Sequence, residues 1–335
     1  MKEEVQVVPF AEKRGRPTGP EIRLMVFQSR GRYPRGTQRL PGAVFHADEK
    51  IVFSVVRGDS WHALDPDIPF SEFDWASPNE LRLLAALMLC EQLDECRMTL
   101  YPIVRFAPFL ESEFPIESDE FIAAVRDRLL REVLTPSGFL DSYQSSLQCC
   151  AAPYDLVDAE NFDFSRLAEF WRSLETPNYV LMRGMYALMK ADMLMNHYEF
   201  CEEAVNSCFI ALDASFSLVL RQLRTEGNAN PSSHDAAQWV HRTFDQAFGL
   251  PTPAVTEKYF EEFYNQRVMT LHPASRLGDV PYSPNMHDDY CHLRPAIRQL
   301  LAFLLSGRHE RAYLEAVASR AGIKRPSERV DPNVD

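Results

Sequence analysis

Apolar residues recur every three or four positions along most of the C-terminal half of this chain, which is the spacing that gives an α-helix one apolar face. The longest example covers residues 200–224, and its apolar positions are Val205, Cys208, Phe209, Leu212, Phe216, Val219 and Leu223. Residues 179–196, 255–271 and 290–304 follow the same pattern. We therefore predict four helices that bury their apolar faces against one another as a bundle. The residues expected to share its core are Val205, Leu212, Phe216, Phe260, Phe263, Ile297, Leu301 and Leu304.

Glycine and proline mark the ends of these helices. Gly227 and Pro231 follow the longest stretch, and Pro273 follows the next one. Gly307 stands where a glycine commonly closes a helix. Pro295 lies inside the last helix, where it removes one backbone hydrogen bond, so we expect a kink or a break there.

The first part of the chain has a different pattern. Residues 22–28 and 43–56 are rich in β-branched and aromatic side chains, and a polar segment of hairpin length interrupts the second stretch at 46–50. We predict two or three strands in this part. Further helices are expected at 77–96, 118–133 and 164–174.

These patterns predict a mostly α protein with a C-terminal four-helix bundle and a mixed α/β N-terminal region. Since domains run to roughly 100 to 200 residues, a chain of 335 residues has room for two or three. The expected parts are a small β-containing region with a basic arm at 1–75, a helical region at 76–178, the helical bundle at 179–310 and a tail at 311–335.

The composition favours a cytoplasmic protein that does not insert into membranes. The longest apolar runs, such as 83–90, are much shorter than the roughly 20 residues that span a bilayer. The N-terminus begins Met1-Lys2-Glu3-Glu4 and lacks the apolar segment of a signal peptide. Seven cysteines are too few for a secreted disulfide scaffold, so we expect most of them to be reduced.

Charge is distributed unevenly along the chain. The formal net charge of −13 disfavours indiscriminate binding to nucleic acid, because an acidic surface repels phosphate. Residues 13–39 nevertheless contain eight basic residues and one acid. This segment is either a solvated N-terminal arm or an arm that contacts phosphate groups, and the sequence leaves both interpretations open.

An arginine is followed by a histidine after four to six intervening residues in three places, at Arg39/His46, Arg57/His62 and Arg267/His272. Only the last pair belongs to a long helical pattern, and it lies at the end of that pattern, directly before Pro273. A guanidinium can hold a phosphate while an imidazole transfers a proton. We therefore select Arg267 and His272 as the candidate catalytic pair.

Residues 180–306 resemble the HEPN superfamily, in particular its Apea-like members. The resemblance rests on the Arg267/His272 pair, the preceding Tyr264, and the segment Phe-Ile-Ala-Leu-Asp at 209–213 on the helix before. It implies a metal-independent endoribonuclease that acts as a homodimer, often within a toxin or phage-defence system. Other members are non-catalytic modules that bind RNA or a partner protein, and Val268 stands where many members have a polar residue.

The resemblance assigns proton transfer to His272 and phosphate stabilisation to Arg267. We expect Arg276, Arg294 and Arg298 to line a basic substrate-binding cleft beside this pair, unless acids such as Glu261 and Glu262 pair with the last two. Neither a metal nor a cofactor is expected. The expected partners are RNA, a second copy of the chain and a possible regulatory protein.

Two other clusters are weaker candidates. His197, Cys201 and Cys208 could face one side of a helix as metal ligands, although the interpretation as ordinary core and boundary residues is favoured. The dipeptides His234-Asp235 and His287-Asp288 resemble part of the HD phosphohydrolase motif without the dispersed ligand set of those enzymes. The second dipeptide is also suited to capping the start of the last helix.

Overall fold

A computed structural model of the chain describes residues 21–27, 31–58, 76–92, 97–110, 115–134, 155–175, 178–271 and 285–322. Its N-terminal part contains the strands β1 (Glu21–Phe27), β2 (Arg32–Pro34), β3 (Gly36–Leu40), β4 (Ala43–Ala47), β5 (Val52–Gly58), β6 (Pro102–Leu110) and β7 (Asp155–Val157). Five of them form an antiparallel sheet in the order β3-β4-β5-β1-β6, and β2 pairs with β7 in parallel. The predicted hairpin at 43–56 is confirmed.

The helices described in the chain are α1 (Pro78–Met88), α2 (Asp119–Leu134), α3 (Leu167–Ser173), α4 (Tyr179–Leu194), α5 (Cys201–Thr225), α6 (Ser233–Val240), α7 (Glu261–Leu271), α8 (His287–Ser306) and α9 (Arg311–Gly322). A π-helical segment, His241–Asp245, continues α6. The described residues are thus mostly helical with an N-terminal antiparallel sheet. This agrees with the predicted mostly α fold class and its mixed α/β N-terminal region.

Helices cover both faces of the sheet. Alternate strand residues, among them Phe45 and Val56, pack with Leu84 of α1 in the main core. The residues that point the other way pack with Ile122 and Leu129 of α2 in a second, smaller core. The start of α1 is fixed by a capping box, in which Ser77 and Glu80 bond each other's backbone amides.

The long helix α5 is the centre of the C-terminal part and packs against α4, α6, α7 and α8. Its contact with α4 is close, because a Cβ atom placed on Gly184 would lie 2.9 Å from the Cβ atom of Ala214. Of the eight predicted core residues, Val205, Leu212, Ile297 and Leu301 are buried, and Phe216, Phe260, Phe263 and Leu304 are partly buried against the same core.

Several features differ from the sequence prediction. Helix α1 ends at Met88 rather than near 96, and the described N-terminal part has more strands than the two or three predicted. The strand β6 lies inside the part predicted as helical. It pairs with β1, which is distant in the sequence, so the local pattern of residues does not reveal it. The tail contains helix α9. Helix α7 begins at Glu261 rather than near 255, after Phe260 adopts a positive φ of 45°. Helix α8 runs through Pro295 without a break.

One helical segment in the described part, Tyr198–Thr225, is long and apolar enough to cross a membrane by length and composition. Just over half of its most apolar window, 56%, is buried inside the protein. This burial is typical of a core helix, and it agrees with the central position of α5.

Candidate functional site

Arg267 lies on the last turns of α7 and forms an ion pair with Asp213 of α5. Its Nη1 atom is 2.6 Å from each carboxylate oxygen of Asp213. The pair is at the surface, since the side chains are 31% and 53% exposed. The two segments on which the HEPN resemblance rests, 209–213 and 264–272, therefore meet at this ion pair.

The Arg267 side chain remains partly exposed beside the ion pair. Both contacts with Asp213 use Nη1, so Nε and Nη2 can bind an oxyanion through two parallel hydrogen bonds. The carboxylate also compensates the charge of the guanidinium, which weakens its attraction for a distant phosphate. Arg267 is thus oriented by Asp213 and locally neutralised by it.

His272 and Arg276 lie outside the described residues, so their distance from Arg267 is not established. Helix α7 ends at Leu271, which is the residue directly before His272.

Two surface cavities meet at Asp213. One, of about 340 Å³, lies between α5, α7 and the start of α6 and is lined by Asp213, Lys258, Tyr259 and Tyr264 among others. The second, of about 590 Å³, is lined mainly by apolar side chains of α4 and α5, including Tyr186 and Ile210. The ring of Tyr264 is exposed, and one of these cavities opens beside it.

Arg294 and Arg298 do not line a cleft. Their side chains are 1% and 2% exposed, and both bind carboxylates inside the protein. Arg294 contacts Glu91 and Asp192, while Arg298 donates to Glu310 at 2.8 and 3.0 Å. Although burial opposes the charged form, Asp192 and Glu91 raise the pKa of Arg294 well above its usual range.

The prediction that Arg294 and Arg298 bind substrate is therefore wrong for the folded chain. Two guanidinium groups that are buried and neutralised cannot reach a phosphate on the surface. The suggested alternative partners Glu261 and Glu262 were also wrong, because the partners come from other parts of the chain. Periodicity along a single helix could not identify them, since Glu91 and Asp192 stand far from α8 in sequence.

The described residues of the basic N-terminal segment belong to the fold rather than to a free arm. Each of four arginines in strands or turns forms an ion pair with an acid, namely Arg23 with Glu80, Arg32 with Asp155, Arg35 with Glu49 and Arg39 with Asp119. Lys13, Arg14, Arg16 and Arg30 lie outside the described residues, as does His62. The phosphate-contacting interpretation is weakened for the part of the segment that can be seen.

The weaker candidates gain no support within the described ranges. No group of three or more His, Cys, Asp and Glu side chains there could hold a metal ion. Cys208 is fully buried, and burial raises the pKa of its thiol above the usual range. His234 faces the backbone oxygen of Glu257, and His287 lies 3.4 Å from the sulfur of Cys291.

Comparisons with known proteins add no relative. No family model, no curated protein and no solved structure matches the chain.

Proposed function

We propose that this protein is a metal-independent endoribonuclease of HEPN type, with Arg267 and His272 as its catalytic pair. The observation that carries the proposal is the contact between Arg267 and Asp213. It joins the two segments on which the resemblance rests, and the Arg267 side chain is 31% exposed beside it.

The chemistry needs no cofactor. The ribose 2′-hydroxyl attacks the adjacent phosphorus, the bond to the 5′-oxygen breaks, and the products carry a 2′,3′-cyclic phosphate and a 5′-hydroxyl. His272 transfers the protons, while Nε and Nη2 of Arg267 stabilise negative charge on the phosphoryl oxygens. The exposed ring of Tyr264 offers a surface on which an unpaired base can stack.

The proposed assembly is a homodimer in the cytoplasm. A single Arg/His pair offers few contacts to an RNA strand, and a two-fold axis would double them with one self-complementary interface. Arg276 is a candidate for a backbone contact. A role in a toxin or phage-defence system, under the control of a regulatory partner protein, follows from the resemblance alone.

A non-catalytic module that binds RNA or a partner protein is the second candidate function. The neutralisation of Arg267 by Asp213 favours it, because a compensated guanidinium attracts a phosphate less strongly. Val268 also favours the non-catalytic module, because many members of the family have a polar residue at this position. The burial of Arg294 and Arg298 removes two cations that the enzymatic proposal had assigned to RNA binding.

Cleavage of labelled single-stranded RNA by the purified protein tests the proposal. With EDTA present, we expect the wild type to cut RNA and to leave the DNA of the same sequence intact, because DNA lacks the attacking hydroxyl. Arg267→Ala should lower the rate at least ~100-fold. Arg57→Ala should leave the rate unchanged. Arg57 belongs to the Arg57/His62 pair, which has the same spacing in the sequence but no proposed catalytic role. RNA binding without cleavage by the wild type would support the non-catalytic module instead.

A further inference from the structure

The hairpin formed by β3 and β4 aligns a hydroxyl, an imidazole and a carboxylate. Thr37 stands directly opposite His46 in the strand register, and its Oγ1 atom is 2.8 Å from Nδ1 of the imidazole. The other ring nitrogen, Nε2, is 3.3 Å from a carboxylate oxygen of Asp48. The order of groups is the one found in hydrolases that use a hydroxyl nucleophile.

The proton positions in this chain of contacts follow from Asp48. Burial opposes its ionisation, but hydrogen bonds from Arg126 and from the backbone amides of Lys50 and Ile51 lower the pKa of Asp48 to about 2. An ionised carboxylate can only accept, so Nε2 of the imidazole carries the proton. Nδ1 is then the acceptor that faces the hydroxyl of Thr37.

The imidazole is also held in its neutral form. Burial lowers the pKa of His46, and the guanidinium groups of Arg126 and Arg39 lower it further against the opposing effect of Asp48. A neutral imidazole with a free lone pair towards a hydroxyl is the state that a general base requires. The ring is fixed on its other side by contact with Phe53.

Thr37 lies at the edge of the sheet. Thr37 is only partly buried, and β3 is the outermost strand of the sheet in the described part of the chain. The preceding Gly36 has a φ of 108°, and a Cβ atom placed there would meet nothing within 4 Å. The edge of the sheet is therefore open at Gly36, the residue that precedes the nucleophile in the chain.

We propose that Thr37, His46 and Asp48 form a second active site, which transfers acyl groups from small activated carboxylic esters. Thr37 Oγ1 attacks the ester carbonyl carbon while His46 Nδ1 takes the hydroxyl proton. The tetrahedral intermediate then breaks the bond to the alcohol oxygen, and His46 returns the proton to the leaving alcohol. Water, activated by the same imidazole, releases the acid from the acyl-threonine.

Asp48 acts as a positioning residue in this reaction, since it touches the imidazole and not the ester. The nearby guanidinium groups of Arg39 and Arg126 are paired with Asp119 and Asp48, so a small neutral acyl group such as acetyl suits the site. This site uses none of the residues assigned to RNA cleavage. A failure of the ribonuclease proposal would therefore leave this proposal unaffected, and the reverse also holds.

Site-resolved mass spectrometry after treatment with 4-nitrophenyl acetate tests the inference on the full chain. We expect an acetyl group on Thr37 in the wild type and in Thr37→Ser, and none on this residue in Thr37→Val, which keeps the shape of the side chain. His46→Asn should lower the rate of acetylation at position 37 at least ~100-fold. Thr225→Val, which removes an exposed hydroxyl that donates to a helix carbonyl, is the matched control and should behave as the wild type.

Circular dichroism of each variant separates loss of activity from loss of fold. Rapid hydrolysis of the acyl-threonine would still release 4-nitrophenolate. A folded wild-type protein that neither gains an acetyl group on Thr37 nor releases 4-nitrophenolate faster than Thr37→Val would therefore overturn the inference. So would acetylation of Thr37 at the same rate in folded His46→Asn, because the hydroxyl would then react without its base.

Discussion

At the scale of single residues, Asp213 is the group that most affects how Arg267 can act. It binds one nitrogen of the guanidinium and thereby fixes the direction in which the other two point. In the proposed reaction, which depends on the placement of a cation against a phosphoryl oxygen, we expect this orientation to contribute more than the charge that it cancels.

We therefore predict that Asp213→Ala lowers kcat/KM for RNA cleavage about tenfold, because the guanidinium loses its fixed direction. Initial rates on a labelled RNA measure the effect. Glu202→Ala removes an exposed acid from the same helix and serves as the control for a change in surface charge. Cleavage by Asp213→Ala that equals or exceeds the wild-type rate would contradict a positioning role and would indicate that Asp213 inhibits the site.

Asp48 gives a prediction about stability and pH. Its pKa in the folded protein, about 2, is lower than its ordinary value of 3.8, so the ionised form stabilises the fold. This contribution is fully present above about pH 4 and is lost as the pH falls towards 2. Asp48→Asn keeps an oxygen acceptor for the turn and removes the charge.

Urea unfolding of the wild type and of Asp48→Asn should thus differ by about 2 kcal/mol at pH 6, since each unit of pKa shift corresponds to about 1.4 kcal/mol. The difference should shrink steadily as the pH is lowered below 4. A difference that stays constant from pH 6 to pH 3 would show that the carboxylate contributes through its shape and not through its charge.

The sequence could single out Arg267 as a candidate but could not show the surroundings of the other candidate residues. Arg267 is a candidate because the Arg267/His272 pair stands at the end of a helical pattern, which is visible locally. The burial of Arg294 and Arg298 depends on Glu91, Asp192 and Glu310, which only the folded chain brings together. Thr37 and His46 could have been paired from the register of a hairpin closed at Pro41-Gly42, had that turn been recognised.

At the scale of elements, a cluster of buried charges ties α8 to the rest of the fold. Arg294 contacts an acid before β6 and an acid on α4, and Tyr290 donates to the same Asp192 at 2.7 Å. Such a cluster is costly to break, because the removal of one partner leaves the others charged and without compensation in the interior.

Arg294→Met should therefore destabilise the protein by about 3 to 5 kcal/mol, as measured by chemical unfolding. Arg308→Met is the matched control, since Arg308 is 64% exposed and pairs with Glu169 at the surface. It should cost no more than about 1 kcal/mol. If Arg294→Met unfolds at the wild-type denaturant concentration but loses RNA binding, the side chain has a substrate-binding role after all.

Periodicity predicted most of the helices and failed where an element depends on distant contacts. The apolar stripes of α4, α5 and α8 were visible in the sequence, because each helix buries one face. The strand β6 was missed, because its only described neighbour in the sheet is β1. The start of α7 was placed too early, because apolar spacing cannot reveal the positive φ of Phe260.

At the scale of the whole molecule, the proposed ribonuclease must attract RNA although its net charge is −13. Six arginines described in the N-terminal part and in α8 are paired with acids, namely Arg23, Arg32, Arg35, Arg39, Arg294 and Arg298. The end of α7, where Arg267 lies, is the contact that we propose. Doubling that contact in a homodimer would give a longer RNA two sites at once.

The ends of the RNA products test the central proposal most directly. Wild-type protein and His272→Ala should be incubated with one synthetic RNA in the presence of EDTA. The masses of the RNA fragments, measured by mass spectrometry, then identify their end groups. We predict 2′,3′-cyclic phosphate and 5′-hydroxyl ends from the wild type, and a rate at least ~100-fold lower for the folded variant. Fragments with other ends, no cleavage by the wild type, or equal cleavage by His272→Ala would contradict a ribonuclease that works through this histidine.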